Sequence, residues 1–144
     1  MRQVKRVLLV VEDGTEYTEA FRRLVPDDVT LLRAGDAEEA RGYLAAHPVS
    51  AVFLDVVFDR TPAEKLAGDR ARGVEHLSRN QGFYLTAELA EALPRDCRVV
   101  IAYDFAAEPA RLSALRRNLP GLEGVEEGAP LSRVLERLIL NRPD

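Results

Sequence analysis

Cysteine, lysine, histidine and tryptophan are scarce or missing in this chain, and each gap excludes something. Cys97 is the only cysteine among 144 residues, so no internal disulfide can form. One thiol suits a reducing compartment, and Cys97 reads as a small buried hydrophobe. His47, beside Pro48, and His76 have no His or Cys neighbours in sequence, which argues against a histidine–cysteine metal centre. No GxxxxGK[ST] loop is present, so a P-loop nucleotide site is excluded. The stretch "VVEDGTEY" offers one glycine and two acids where a dinucleotide or flavin phosphate needs amide donors. No apolar run is long enough for a bilayer, and "VLLVV" near the N-terminus is too short for a signal peptide. The net charge of −4 leaves no basic footprint for nucleic acid or a membrane surface. Of the 20 Lys and Arg residues only two are lysines, Lys5 and Lys65, and neither lies in the final third.

What remains is a chain that is 47% hydrophobic and long enough for one domain spanning 1–144. Short β-rich runs alternate with amphipathic ones. Strands are expected at 4–11, 28–34, 49–55 and 97–103, with a last, weak one inside 121–128. Helices are expected at 15–25, 36–47, 81–93, 107–119 and 130–140. Asp36 with Glu39 makes a capping-box start, and Pro109 falls in a first turn, where proline is tolerated. Strict alternation implies right-handed crossovers and an α/β, three-layer, doubly wound sheet of five parallel strands. Ligands of such folds sit at the carboxyl ends of the strands.

One segment interrupts the rhythm. Residues 58–80 form a long insertion between the third strand and the third helix, where connections usually run to about 2–6 residues. "TPAEKLAG" reads as one capped turn, with Thr61 as cap, Pro62 at the first helical position, Glu64 completing the box and Gly68 ending it. The charges beyond it are of mixed sign, so the segment is expected as a surface excursion that serves as a lid or a docking surface and is dispensable for folding.

"AVFLDVVFDRTP" ends a core strand on a carboxylate, Asp55, while "LLVVEDG" ends the first strand on Glu12 and Asp13. If the two strands are neighbours, three carboxylates converge on one sheet edge and raise one another's pKa. A hard divalent cation such as Mg²⁺ relieves that repulsion and leaves a carboxylate able to attack phosphorus.

These motifs and the alternation around them resemble the receiver domain of two-component response regulators, as an atypical stand-alone member. The resemblance implies strand order 2-1-3-4-5 and phosphorylation of Asp55. It implies Mg²⁺ held by Asp13, Asp55 and the Val57 carbonyl, with Glu12 acting through water. It implies a cytoplasmic signalling module, not an enzyme, working through a protein partner such as a histidine kinase; homodimerisation stays open. Two positions depart from the pattern. Tyr103 (or Ala102, one residue earlier) stands where a Thr or Ser is usual, and Ala129 precedes Pro130 where a lysine is usual. Lys65 or Arg60, or Arg70 and Arg72 beyond them, are the cations available to substitute. The alternatives are a degenerate receiver acting as a phosphorylation-independent adaptor and, more remotely, a haloacid-dehalogenase-like phosphatase. The latter needs a second aspartate where Val57 stands.

Overall fold

The structure, a computed structural model, describes residues 6–140. Five strands, β1 (Arg6–Val11), β2 (Val29–Ala34), β3 (Ala51–Leu54), β4 (Arg98–Ala102) and β5 (Glu123–Val125), form one parallel sheet in the order β2-β1-β3-β4-β5. Val4 and Lys5, expected to begin the first strand, lie outside the described residues. Because side chains alternate across a strand, β1 feeds two cores. Leu8 and Val10 join Phe21, Val134, Leu135 and Leu138 on one face, and Val7, Leu9 and Val11 join Ala40, Leu44, Leu77 and Leu85 on the other. Both faces are covered, which is why "VLLVV" and "AVFL" are continuously apolar.

The helices are α1 (Glu16–Arg22), α2 (Ala37–Ala46), α3 (Val74–Arg79), α4 (Gln81–Glu88), α5 (Pro109–Leu115) and α6 (Leu131–Leu135), the last continuing as a π turn over Glu136–Leu140. Asp36 caps α2 by accepting the Glu39 N–H at 2.9 Å. Pro109 opens α5 as expected. Most helices are shorter than their apolar stripes suggested, and Leu24, expected on the buried stripe of the first helix, lies past the end of α1 and is 44% exposed. Among the described residues no helix is long and apolar enough to cross a membrane.

Residues 56–80 depart in part from expectation. They run mostly over the surface, as expected, but they are anchored: Phe58, Leu66, Ala67 and Leu77 are buried in the same core cluster as Ala40, Leu44 and Leu85. Thr61 does not cap a turn; its hydroxyl donates to the Gly35 carbonyl, and Pro62 precedes a 3₁₀ turn over Ala63–Lys65. The turn ends at Leu66, two residues before Gly68, which instead sits in the loop beyond it at φ +110°, where a β-carbon would be strained. Burial of Ala67 and Leu77 leaves backbone polar groups to satisfy, and Gln81 does so. Its buried amide accepts the Ala67 N–H at 2.6 Å and donates to the carbonyls of Ala67 and Leu77. Further bonds join the Phe58 N–H to the Ser78 carbonyl and the Gly82 N–H to the Val56 carbonyl.

Leu77→Ala is therefore expected to destabilise the fold by about 2–5 kcal/mol in urea unfolding, and replacing residues 59–80 by a Gly/Ser linker to leave no cooperative transition. A linker variant of unchanged stability would show the four buried anchors to be dispensable.

Candidate functional site

The site follows from strand register. β1 pairs with β3 so that Val11 lies opposite Leu54, and both strands stop there. The next residues, Glu12 and Asp55, leave the sheet side by side, with the Asp55 N–H on the Val11 carbonyl and the Glu12 N–H on the Ala34 carbonyl. Glu12, Asp13, Tyr17, Asp55, Val57 and Asp59 line one open cleft, with Glu16 and Arg60 at its rim.

The carboxylates in it differ. Glu12 is buried and fully engaged: one oxygen accepts the Tyr17 N–H at 3.1 Å, the other the Thr18 N–H and hydroxyl, both at 2.7 Å. It thus caps the first turn of α1, a role that the spacing from Glu12 to Thr18 did not reveal. Asp13 accepts the backbone N–H of Arg60 at 2.6 Å. Arg33, which no motif singles out, donates to the carbonyls of Asp13 and Gly14 and so fixes the loop that carries Asp13. Asp55 is half-buried, and one of its oxygens accepts the Val56 N–H at 2.9 Å. Desolvation pushes its pKa up to about 6, and the charges of Glu12, Asp13 and Glu127 add to the rise against that hydrogen bond. Glu127, on the loop after β5, is a further acid in the field of Asp55 that sequence reasoning passed over.

The Asp55 backbone is also held from behind. Gly82 in α4 touches it so closely that a β-carbon there would lie 2.8 Å from Val56 Cα and closer still to the Asp55 carbonyl.

The altered positions and candidate cations fall as follows. Tyr103 faces α5: its hydroxyl bonds Glu108, its ring packs edge-on against Phe83 and Phe105, and the Arg111 guanidinium covers Phe83 at 4.6 Å. Ala129 is half-buried in the turn after β5 and carries no charge toward Asp55. Lys65 stands 3.8 Å from Asp36 and does not line the cleft. Arg70 bonds the carbonyls of Ala63 and Glu64, and Arg72 the Tyr84 hydroxyl, so neither is at the site. Among the described residues Arg60 is the only cation lining the cleft.

A hard divalent ion suits this donor set in part. Asp13 and Asp55 offer oxygen ligands to one cleft, and Mg²⁺ commonly takes one or two carboxylates and completes its shell with water. Among the described residues, however, no group of three or more His, Cys, Asp or Glu side chains is arranged to hold a metal unaided.

Neither a protein-family profile nor a curated protein sequence matches the chain. Solved structures do. A response regulator from Burkholderia pseudomallei, crystallised with a phosphorylated aspartic acid, a calcium ion and citrate, superposes with TM-score 0.63 at 17% identity, over 94% of this chain and 68% of that one. The signal receiver domain of an HD domain-containing protein from Pseudomonas fluorescens gives 0.64 at 15% identity, over 94% and 85%. A response regulator receiver protein from Pseudomonas putida gives 0.60 at 17% identity, over 94% and 97%. The chain therefore has the fold of a response-regulator receiver domain, with the flavodoxin-like strand order expected from its sequence.

The raised pKa of Asp55 has a sign. The folded state holds this proton more tightly than the unfolded chain, so the group's contribution to stability falls as pH rises from the ordinary 3.8 to about 6 and stays lost above that. In metal-free buffer at pH 7, Asp55→Asn is expected to raise unfolding free energy by about 1–2 kcal/mol, with the difference vanishing below pH 4. Equal stabilities at pH 7 would show that the carboxylate is not held in an unfavourable field.

Proposed function

We propose that this protein is a receiver-type signalling module in which Asp55 accepts a phosphoryl group and the modified domain acts by binding a protein partner. The observation that carries the reading is the placement of Asp55. It is a half-buried carboxylate at the carboxyl end of a central strand, facing the same cleft as Asp13. Asp13, Asp55 and the Val57 carbonyl would hold Mg²⁺ directly, with Glu12 behind them through water. The ion would supply charge neutralisation on the transferring group.

This chain's own residues do the rest. β3 and the Val56 N–H aim an Asp55 oxygen outward, so that it attacks phosphorus. The new bond is carboxylate O–P; the bond broken is between phosphorus and the donor's leaving atom, nitrogen in a phosphohistidine or oxygen in acetyl phosphate, which departs with the electron pair. No general base is needed, because the attacking carboxylate carries no proton above its pKa. The Arg33 clamp keeps Asp13 in place.

A second reading has its own observation. Tyr103 is tied to Glu108 and packed edge-on against Phe83 and Phe105, so the usual small hydroxyl is replaced by an anchored ring. This favours an adaptor that binds its partner without phosphorylation. Kinase, partner and dimerisation belong to either reading, and the lone Cys97 accords with a cytoplasmic setting. The phosphatase alternative has no support in the cleft, where the side chain at the required position is Val57.

Acetyl phosphate with Mg²⁺ is expected to add one phosphoryl mass to Asp55, and none to Asp55→Asn. Mg²⁺ alone should raise the melting temperature by a few degrees, an effect lost in Asp13→Asn. Absence of both label and shift would leave only the adaptor.

A further inference from the structure

Phosphoryl transfer to Asp55 would bring a dianion into a cleft lined by Glu12, Asp13, Glu16, Asp55 and Asp59, where repulsion is severe without a cation. Among the described residues Arg60 is the one cation lining that cleft, and its position is built. Its backbone N–H is bonded to the Asp13 carboxylate at 2.6 Å, which anchors the residue in the site whatever its side chain does. Its guanidinium rests on Glu16 at 3.0 Å, directly over Gly14. A β-carbon on Gly14 would lie 2.5 Å from Arg60 Nη1 and closer to Glu16 Oε1, so the glycine makes room for this pair. Both side chains are largely exposed, 62% and 66%, and exposed ion pairs are weak and readily exchanged.

From this we infer that Arg60 is the phosphoryl-contacting cation of the site, held on Glu16 until a phosphoryl group on Asp55 draws it across. The inference rests on the reading of Asp55 given above. A phosphoryl dianion outbids a single solvated carboxylate, because it carries more charge and accepts both arms of the guanidinium fork. Glu16 then acts as a competitor that sets the threshold for engagement. The cation is supplied from the loop after β3, 58–61, and not from the turn after β5, where Ala129 stands.

The test is a double-mutant cycle on the labelling rate with acetyl phosphate and Mg²⁺, using the full chain, Glu16→Gln, Arg60→Gln and the double variant. None of these removes the backbone N–H on Asp13. Arg60→Gln is expected to slow labelling about tenfold, Arg60→Lys to restore part of the loss, and Glu16→Gln to speed labelling about threefold. The double variant should behave as Arg60→Gln does, since the freed partner is gone. If Glu16→Gln speeds labelling equally with and without Arg60, only a diffuse charge effect operates and the inference fails. It fails also if Arg60→Gln labels at the wild-type rate while Asp55→Asn does not label; the phosphorylation reading then stands alone. A wild-type chain that takes no label overturns both.

Discussion

The parallel register of β1 on β3 is the constraint on which the rest of this molecule depends. Val11 opposite Leu54 ends two buried strands on one row, and the chain must leave the sheet there in two places at once. The residues that follow are acidic, so the apolar interior delivers carboxylates to a single edge. Each is then treated differently. Glu12 is absorbed by the amides of α1, Asp13 by the amide of Arg60, and Asp55 keeps most of its electrostatic penalty. The fold therefore makes the site, and the penalty at Asp55 is the part of it left available for chemistry.

Much of this was readable beforehand because burial on both faces writes itself into composition. "VLLVV" and "AVFL" can hardly be anything but central parallel strands, and alternation with amphipathic runs leaves few topologies. Asp55 and Asp13 were legible because a charge at the end of such a run has no packing reason to be there. The buried anchors of residues 56–80 were not legible, for a converse reason. Their buried positions, Phe58, Leu66, Ala67 and Leu77, are spaced irregularly along turns and 3₁₀ segments, so no period of 2 or 3.6 reports them. The contributions of Arg33 and Gln81 were equally hidden, because both act on backbone carbonyls and amides across the fold, and such partners leave no pattern in sequence.

The departures at the edge share one physical theme. Tyr103 is bound to Glu108 and walled by Phe83 and Phe105, while Arg111 lies over the rings. Aromatic packing and a charge-assisted hydrogen bond here fix the Tyr103 side chain at the end of β4. Glu127, on the loop after β5, adds its negative charge to the field at Asp55. Next to β3, then, the ends of β4 and β5 carry an anchored ring and a repelling carboxylate.

The Gln81 amide has a consequence for motion as well as for packing. Three of its bonds tie α4 to the turn at Ala67 and the end of α3, and Gly82, its neighbour, sits against the backbone of Asp55 and Val56. The turn cannot lift away without stripping a buried amide of its partners, and α4 cannot tilt without dragging the end of β3. In native-state hydrogen exchange these pieces should behave as one cooperative unit, with the amides of Ala67, Leu77 and Gly82 sharing a common opening free energy. A segment that resembles a loop in sequence thereby becomes part of the rigid seat on which Asp55 rests.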